Sequence, residues 1–260
     1  MADRIEVAKP MVQEAAVAAG GQAPGSRVPR DVRTLRRIAT AISIVLGPLA
    51  VGVVRATVAS GQNSKVIIAA VMAHPDMARV ELGAGVVATL FLPFAMIGLT
   101  RLVMRRAPVL AMLGGSLALI GWAMVPMLIV GDAMTYEMAQ SGANSTQFAA
   151  LLDHVQGNFA VALFFSVFII GHELGTLLLG IGLARARVAP LWAAAAVVIG
   201  IVLHPVSVVL GIRLVDILAF ALIVAGCAAA ARAVLITPND AWDLPPLAVR
   251  GAARMEVLAR

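Results

Sequence analysis

The chain has 260 residues, of which 61% are hydrophobic and only 13% are charged, and its mean hydropathy is +0.95. This composition excludes a soluble globular protein, and the single cysteine, Cys227, excludes an intrachain disulfide or a cysteine-based metal site. The net charge of +6 does not indicate nucleic-acid binding, because the basic residues flank apolar segments and form no patch with aromatics between them.

Six apolar segments follow one another along the chain, and each is long enough to cross a bilayer. A bilayer core takes about 20 mostly apolar residues per spanning helix. The segments cover residues 38–58, 82–104, 109–131, 159–183, 191–211 and 214–235. The sequence therefore predicts an all-α polytopic membrane protein, with a six-transmembrane-helix bundle over residues 36–236. Residues 1–35 are predicted to be a disordered cytoplasmic tail, and residues 237–260 a second cytoplasmic tail.

The basic residues predict how these helices are oriented in the membrane. If the N-terminus is cytoplasmic, sixteen of the twenty Lys and Arg residues lie on the cytoplasmic side. The other side keeps only Arg55, Lys65, Arg79 and Arg213. Such a split follows the positive-inside rule and predicts that both termini are cytoplasmic. The Ala, Val and Arg bias indicates a bacterial inner membrane, so the lipid bilayer is the expected partner, and nothing indicates an oligomeric state.

Prolines and glycines predict how the helices bend and pack. Four spans contain an internal proline: Pro48, Pro93, Pro126 and Pro205. Because proline frees a carbonyl and bends a helix, we expect kinked helices around an internal cavity. Gly171 and Gly175 form a GxxxG pair in the fourth span, which predicts close contact with a neighbouring helix. Between the third and fourth spans, residues 148–155 predict a short amphipathic helix on the outer surface.

Few ionisable residues lie within the spans, and such residues are functional candidates because they are costly to bury there. His172 and Glu173 lie near the middle of the fourth span, and His204 lies in the outer half of the fifth. Glu81 opens the second span and Asp216 opens the sixth. A carboxyl group at mid-membrane must be protonated, paired or placed in a wet cavity, and a protonated one suits a general acid. We therefore predict Glu173 as a proton donor, with His172 and His204 orienting it and Glu81 and Asp216 as supporting carboxylates.

A purely structural interpretation stands beside each of these candidates. Glu173 can hydrogen-bond a neighbouring carbonyl or histidine and serve the fold alone. Glu81, Asp132 and Asp216 are placed by sequence at helix ends, where solvation at the membrane interface is sufficient. Asp216 can also pair with Arg213, three residues earlier on the same helix.

A metal or haem held by the histidines is disfavoured by their depth in the membrane. His172 and His204 lie on antiparallel spans, and their positions differ by about 7 Å along the membrane normal at 1.5 Å of rise per residue. Haem ligands must lie closer in depth, and a metal ion shared with Glu173 meets the same difficulty. The sequence therefore predicts no cofactor and no metal.

Two resemblances to known families rest on particular residues. Residues 171–193, GHELGTLLLGIGLARARVAPLWA, resemble uncharacterised actinobacterial multi-span proteins of the DUF4386-like kind, which implies the architecture and no activity. The placement of Glu81 and Asp216 resembles that of small membrane-embedded terpene cyclases, whose paired carboxylates protonate a polyprenyl alkene or epoxide. That family is usually drawn with seven spans, whereas this chain has six. This second resemblance implies a cyclase with Glu81 and Asp216 as its carboxylates.

Three functional hypotheses stay open at this point. The first is an isomerase or cyclase that acts on a lipophilic, prenyl-type small molecule inside the bundle by acid–base chemistry. The second is a non-enzymatic protein, either a proton-coupled transporter or an accessory subunit that binds a lipid or partner. The third is a haem-binding membrane protein.

Overall fold

The computed structural model describes residues 31–57, 63–142 and 144–243, and no strand occurs among them. The helices in these ranges are α1 (Arg33–Thr57), α2 (Ser64–Ala73), α3 (Pro75–Met104), α4 (Pro108–Trp122), α5 (Val125–Gln140), α6 (Ser145–Gln156), α7 (Phe159–Ala186), α8 (Leu191–Leu210), α9 (Arg213–Ile236) and α10 (Asn239–Trp242). Six segments are long and apolar enough to span a membrane, with α4 and α5 together forming the third. The predicted all-α, six-span membrane protein is thus confirmed. Most of the two predicted tails lies outside the described residues.

The spanning helices form a ring of neighbours. Helix α1 packs between α3 and α9, α4 packs between α3 and α7, and α8 packs between α7 and α9. Large apolar side chains such as Phe159, Leu191 and Val209 are more than 70% exposed on the outside of this ring. Such surfaces are stable only against lipid or another apolar partner, which agrees with a multi-pass membrane protein.

The third span is longer than predicted and is interrupted. Helix α4 ends at Trp122, and α5 begins at Val125 and continues to Gln140 instead of ending near residue 131. Pro126 lies in the first turn of α5, where its missing N–H costs nothing, so the interruption falls just before it. The other three internal prolines lie inside continuous helices. The sequence predicted a bend at each of the four prolines, and a helix is interrupted beside Pro126 alone among them.

Two acidic residues lie farther inside helices than their sequence positions suggested. Helix α3 begins at Pro75, so Glu81 lies within α3 and does not open it. Asp132 lies in the middle of α5 and does not close a helix. Both predictions were wrong because the helices continue beyond the apolar segments, through residues too polar for a hydropathy pattern to include. Proline in the first turn and Asp76 near the α3 N-terminus favour this extension.

The two short helices α2 and α6 pack against each other between the spans. Ile68 of α2 is buried with Phe148 and Ala149 of α6, and the Ser64 hydroxyl donates a hydrogen bond to the Asp153 carboxylate. The predicted amphipathic helix at residues 148–155 is confirmed as α6. Phe148 and Ala149 of its apolar face are covered by α2, whereas Leu151 and Val155 are exposed.

Residues 237–243 are ordered, contrary to the prediction of an unstructured tail from residue 237. Asp243 pairs with Arg36 at 2.6 Å and with Arg101 at 2.8 Å, and the Arg101 guanidinium lies 5.1 Å from the centre of the Trp242 ring. The Trp242 side chain is buried beneath it. A short polar segment carries no periodicity that reveals such pairing, because its partners are on α1 and α3.

Candidate functional site

Three ionisable side chains from two neighbouring helices meet in the interior of the bundle. Helix α7 places His172 and Glu173 at its middle, and α8 contributes His204. The Glu173 Oε1 atom lies 3.2 Å from His172 Nε2 and 3.8 Å from His204 Nε2. One potential ligand atom from each residue lies within 4.8 Å of the other two. We call these three residues the His–Glu–His centre.

The depth argument that separated the two histidines does not hold for their side chains. The imidazole centroids of His172 and His204 are 5.9 Å apart. In an α-helix each Cα–Cβ bond tilts toward the helix N-terminus. Because α7 and α8 run in opposite directions, the two side chains tilt toward each other and close the gap in depth. The estimate of about 7 Å came from helical rise alone and ignored this tilt.

The Nδ1 atom of each imidazole contacts a hydrogen-bond acceptor. Nδ1 of His172 lies 2.6 Å from the Phe168 carbonyl oxygen, and Nδ1 of His204 lies 2.6 Å from Asp216 Oδ1. A carbonyl can only accept, so Nδ1 of His172 must carry the proton, and an ionised Asp216 requires the same of His204. In a neutral ring the remaining nitrogen, Nε2, then has a free lone pair. Both Nε2 atoms face Glu173.

Asp216 is fixed by two partners, neither of which is the predicted Arg213. Its Oδ2 atom accepts a hydrogen bond from Arg55 Nε at 2.6 Å, while Oδ1 contacts His204. The α8–α9 connection is very short, and Gly211 ends α8 in the left-handed conformation at φ 68°. Glycine adopts this conformation without strain, so the chain reverses tightly and returns Asp216 beside His204. Helix α1 packs on α9 and supplies Arg55.

Glu81 is connected to this network only through Arg55. It lies buried on α3, within electrostatic range of Asp132 and Arg55. No hydrogen bond or ion pair joins it to the His–Glu–His centre in the described part of the chain. The structure therefore brings together four of the five predicted site residues, and leaves Glu81 in a neighbouring acidic pair with Asp132.

Three aromatic residues that the sequence did not single out surround the histidines. Phe168 stacks on His172 at 4.3 Å between ring centroids, and Trp122 lies 4.8 Å from the same ring. Phe220 contacts His204 edge-on at 5.0 Å. Aromatic residues make up only 5% of the chain, and Phe168 lies one helical turn before His172. That scarcity and spacing are the signals that could have identified Phe168.

Two polar atoms of rings in contact at the site lack a partner. Within the described residues, His172 Nε2 and Trp122 Nε1 are buried without a hydrogen bond, and the centroids of the two rings lie 4.8 Å apart. The contact of His172 Nε2 with Glu173 is close but lacks hydrogen-bond geometry. Buried polar atoms in folded proteins are nearly always paired, so two unpaired ones on rings in contact indicate a site for a ligand, ion or water.

Two cavities lie elsewhere in the bundle. An open groove of about 360 Å³ runs along α1 and α9, and a smaller cavity of about 120 Å³ lies against α2 and α6. Neither is lined by a residue of the His–Glu–His centre. The centre is accessible at Glu173 and His204, whose side chains are 16% and 12% exposed, whereas that of His172 is 3% exposed.

Comparisons with known proteins provide no relative from which a function can be transferred. No family model matches the chain. No curated protein and no solved structure matches it either. The resemblances based on residues 171–193 and on Glu81 and Asp216 stay predictions, and the function must be argued from the geometry of the site.

Proposed function

We propose that this protein is an intramembrane enzyme, an isomerase or cyclase, that acts by acid–base chemistry on a lipophilic, prenyl-type small molecule. The observation that carries the proposal is the meeting of the Glu173 carboxyl with two imidazoles, at 3.2 and 3.8 Å, in the middle of the bundle. Of the two α7 groups, Glu173 is the one that a substrate from the lipid can reach. An apolar site with one accessible acid suits protonation of an alkene.

Each residue of the site has a distinct role in this proposal. Glu173 delivers a proton to one alkene carbon and leaves a carbocation on the substrate. A proton then leaves a neighbouring carbon and returns to the centre, so that isomerisation or ring closure consumes no net proton. His204, held by Asp216, is the base nearest to Glu173 on α8, and His172 is held in orientation by the Phe168 carbonyl.

The surrounding aromatic residues favour a substrate that becomes positively charged. Aromatic faces attract cations, and the effect grows when water is excluded. Trp122, Phe168 and Phe220 cluster around the two histidines. Such a setting supports a carbocation more readily than an anionic intermediate, which is why a prenyl-type substrate is preferred over a lipophilic carbonyl compound.

The enzyme hypothesis is tested with Glu173→Gln in the detergent-solubilised or liposome-embedded protein. General acid catalysis contributes about 10²–10⁴-fold, so we expect turnover of polyprenyl alkenes or epoxides to fall by at least about 100-fold. Glu137→Gln makes the same chemical change at an exposed position of α5 and is expected to leave turnover unchanged. Product analysis by chromatography measures both. Full turnover in a folded Glu173→Gln variant would remove Glu173 from the chemistry.

Proton-coupled transport is a second candidate, favoured by the linear order of the ionisable groups. Contacts lead from Arg55 in the last turn of α1 to Asp216, then to His204 and Glu173 at mid-bundle. Such a chain suits proton movement over half of a membrane. A transporter would change the internal pH of loaded liposomes without forming a product. An enzyme would form a product without changing the internal pH.

Haem binding is the weakest of the three hypotheses on steric grounds. Two axial imidazoles must leave a flat slot between their Nε2 atoms for the porphyrin. Glu173 Oε1 lies within 3.8 Å of both of these atoms and occupies the space that a pyrrole nitrogen needs. The aromatic rings of Trp122 and Phe220 contact His172 and His204 and take up space beside them that a porphyrin would need.

We propose that the protein resides in a bacterial inner membrane with both termini in the cytoplasm, as its basic residues indicate. A reporter fused after Arg260 should be active only in its cytoplasmic form. The same reporter inserted at Gly142, in the turn that follows α5, should be active only in its exported form. An exported C-terminus or a cytoplasmic Gly142 would contradict this orientation.

A further inference from the structure

We infer that the His–Glu–His centre binds a divalent first-row transition metal ion of the Zn²⁺ or Fe²⁺ class, through His172, Glu173 and His204. This inference goes beyond the proposed function, because it concerns what occupies the centre and stands whether or not the protein is an enzyme. It differs from the sequence-based expectation of no metal, which rested on the depth of the two histidines.

The first argument comes from the hydrogen-bond roles of the three groups. Both Nδ1–H groups donate away from the centre, to the Phe168 carbonyl and to Asp216. Both Nε2 atoms therefore carry free lone pairs and lie within 3.8 Å of a carboxylate oxygen that also only accepts. Three acceptors facing one another repel unless a positive charge lies among them. One proton can bridge two of the acceptors, whereas a metal ion bonds to all three.

The second argument is that the three groups lie close to the spacing of ligands around a first-row ion. Metal–nitrogen and metal–oxygen bonds of about 2.0–2.2 Å place two ligand atoms of a tetrahedral site about 3.3–3.6 Å apart. The two contacts of Glu173 Oε1, at 3.2 and 3.8 Å, are near this spacing. The widest separation, at most 4.8 Å, would close by about 1.2–1.5 Å on metal binding.

The third argument is that the supporting contacts of a metal site are already in place. Histidine ligands of metal ions usually donate their second N–H to a carbonyl or carboxylate, which orients the ring and raises its basicity. His172 has the Phe168 carbonyl and His204 has Asp216, itself fixed by Arg55. In addition, His172 is only 2% exposed, and its Nε2 atom has no hydrogen-bond partner.

The ligand set indicates the class of metal and its use. Two imidazoles and one carboxylate bind zinc in hydrolytic sites and ferrous iron in oxygenases, and in both cases leave coordination positions open. Calcium and magnesium prefer oxygen-only ligands and are not expected here. With a metal bound, Glu173 would be a ligand and no longer the proton donor, and a water on the metal would take over the acid–base role of the centre.

Cobalt titration of the full-length, tag-free protein in detergent, after stripping with a chelator, tests this inference. We expect one equivalent of Co²⁺ per chain, with a visible d–d spectrum, and displacement by Zn²⁺. Glu173→Gln and His204→Ala should each weaken binding by at least about 100-fold, and Asp216→Asn, which removes no ligand, by about 10–100-fold. His74→Ala and His154→Ala remove exposed histidines and should leave binding unchanged.

Absence of stoichiometric binding to the wild-type protein would overturn the inference, and this measurement does not depend on whether any variant folds. Binding that survives both ligand variants, or that disappears with His74 or His154, would overturn it too. The outcome is separable from that of the proposed function. Metal binding without product formation would contradict the enzyme alone, and Glu173-dependent turnover by a wild-type protein that binds no cobalt would contradict the metal alone.

Discussion

Helix α7 presents two opposite kinds of interface at adjacent positions of its sequence. Toward α4, Gly171 and Gly175 allow the two backbones to touch: a Cβ atom added at Gly175 would lie 2.1 Å from the Ala118 nitrogen. Toward α8, the same turn presents His172 and Glu173, which meet the neighbouring helix only through polar side chains. At this turn the α4–α7 interface is thus made of backbone contact and the α7–α8 interface of ionisable groups, whereas farther along α7 Gly180 packs on Val197 and Val198 of α8.

This difference shows how a membrane protein can hold a polar site in place. Between helices in lipid the hydrophobic effect contributes little, and close packing of small residues provides most of the association. The glycine interface fixes α7 against α4, so the position of Glu173 does not depend on its own polar contacts. The polar interface can then keep atoms unpaired, as His172 Nε2 is, without loss of the fold.

The largest change in stability is expected from Asp216→Ala, which removes the α9 carboxylate that holds His204 in the polar interface. Removing this carboxylate leaves Arg55 and His204 without their partner, and loss of one member of a buried pair costs about 3–5 kcal/mol. Because Arg55 is partly exposed, with 26% of its side chain accessible, we expect the lower end of that range. Denaturant unfolding in mixed micelles measures the change.

Asp240→Ala is the control for this prediction. Asp240 also pairs with an arginine, Arg33, but its side chain is 87% exposed. Exposed pairs contribute about 0–1 kcal/mol, so this variant should unfold almost as the wild type does. If Asp216→Ala were equally mild, the network around Asp216 would have to be solvated, and the contrast between the two faces of α7 would be lost.

The sequence predicted the glycine interface more reliably than the polar one, and the reason is physical. Hydropathy and the spacing of Gly171 and Gly175 are local properties of one helix, so the spans and the close contact could both be predicted. The pairing of His204 with Asp216 depends on the tight reversal at Gly211, and the meeting of His172 with His204 depends on the tilt of side chains on antiparallel helices. Neither is visible in a pattern of residue types along one span.

The sequence also failed to predict where some helices begin and end. Glu81 and Asp132 mark the points where hydropathy falls, and the sequence therefore placed them at helix ends. The helices continue because their hydrogen bonds do not depend on apolar side chains. Asp243 pairs with Arg36 and Arg101, which are distant in sequence. Contacts of this kind can be found from the sequence only if the order of the helices in the ring is already known.

A smaller effect is expected from breaking the glycine interface with a single methyl group. Gly175→Ala places a Cβ against the backbone of α4, and overpacking of this kind costs about 1–3 kcal/mol. The matched control is Gly83→Ala in α3, where a Cβ meets nothing within 4 Å. Alanine favours a helix over glycine by about 0.8–1.0 kcal/mol, so the control should be slightly stabilised.

Both variants make the same chemical change inside a helix, so the gain in helix propensity is common to them and the difference between them measures packing alone. Unfolding of the two variants in parallel should therefore give opposite signs relative to the wild type. Cobalt affinity should also fall in Gly175→Ala and not in Gly83→Ala, because α7 must shift to admit the methyl group and carries two of the three ligands with it. Equal stability of the two variants would mean that α4 and α7 do not touch at Gly175, and that something other than this interface holds Glu173 in position.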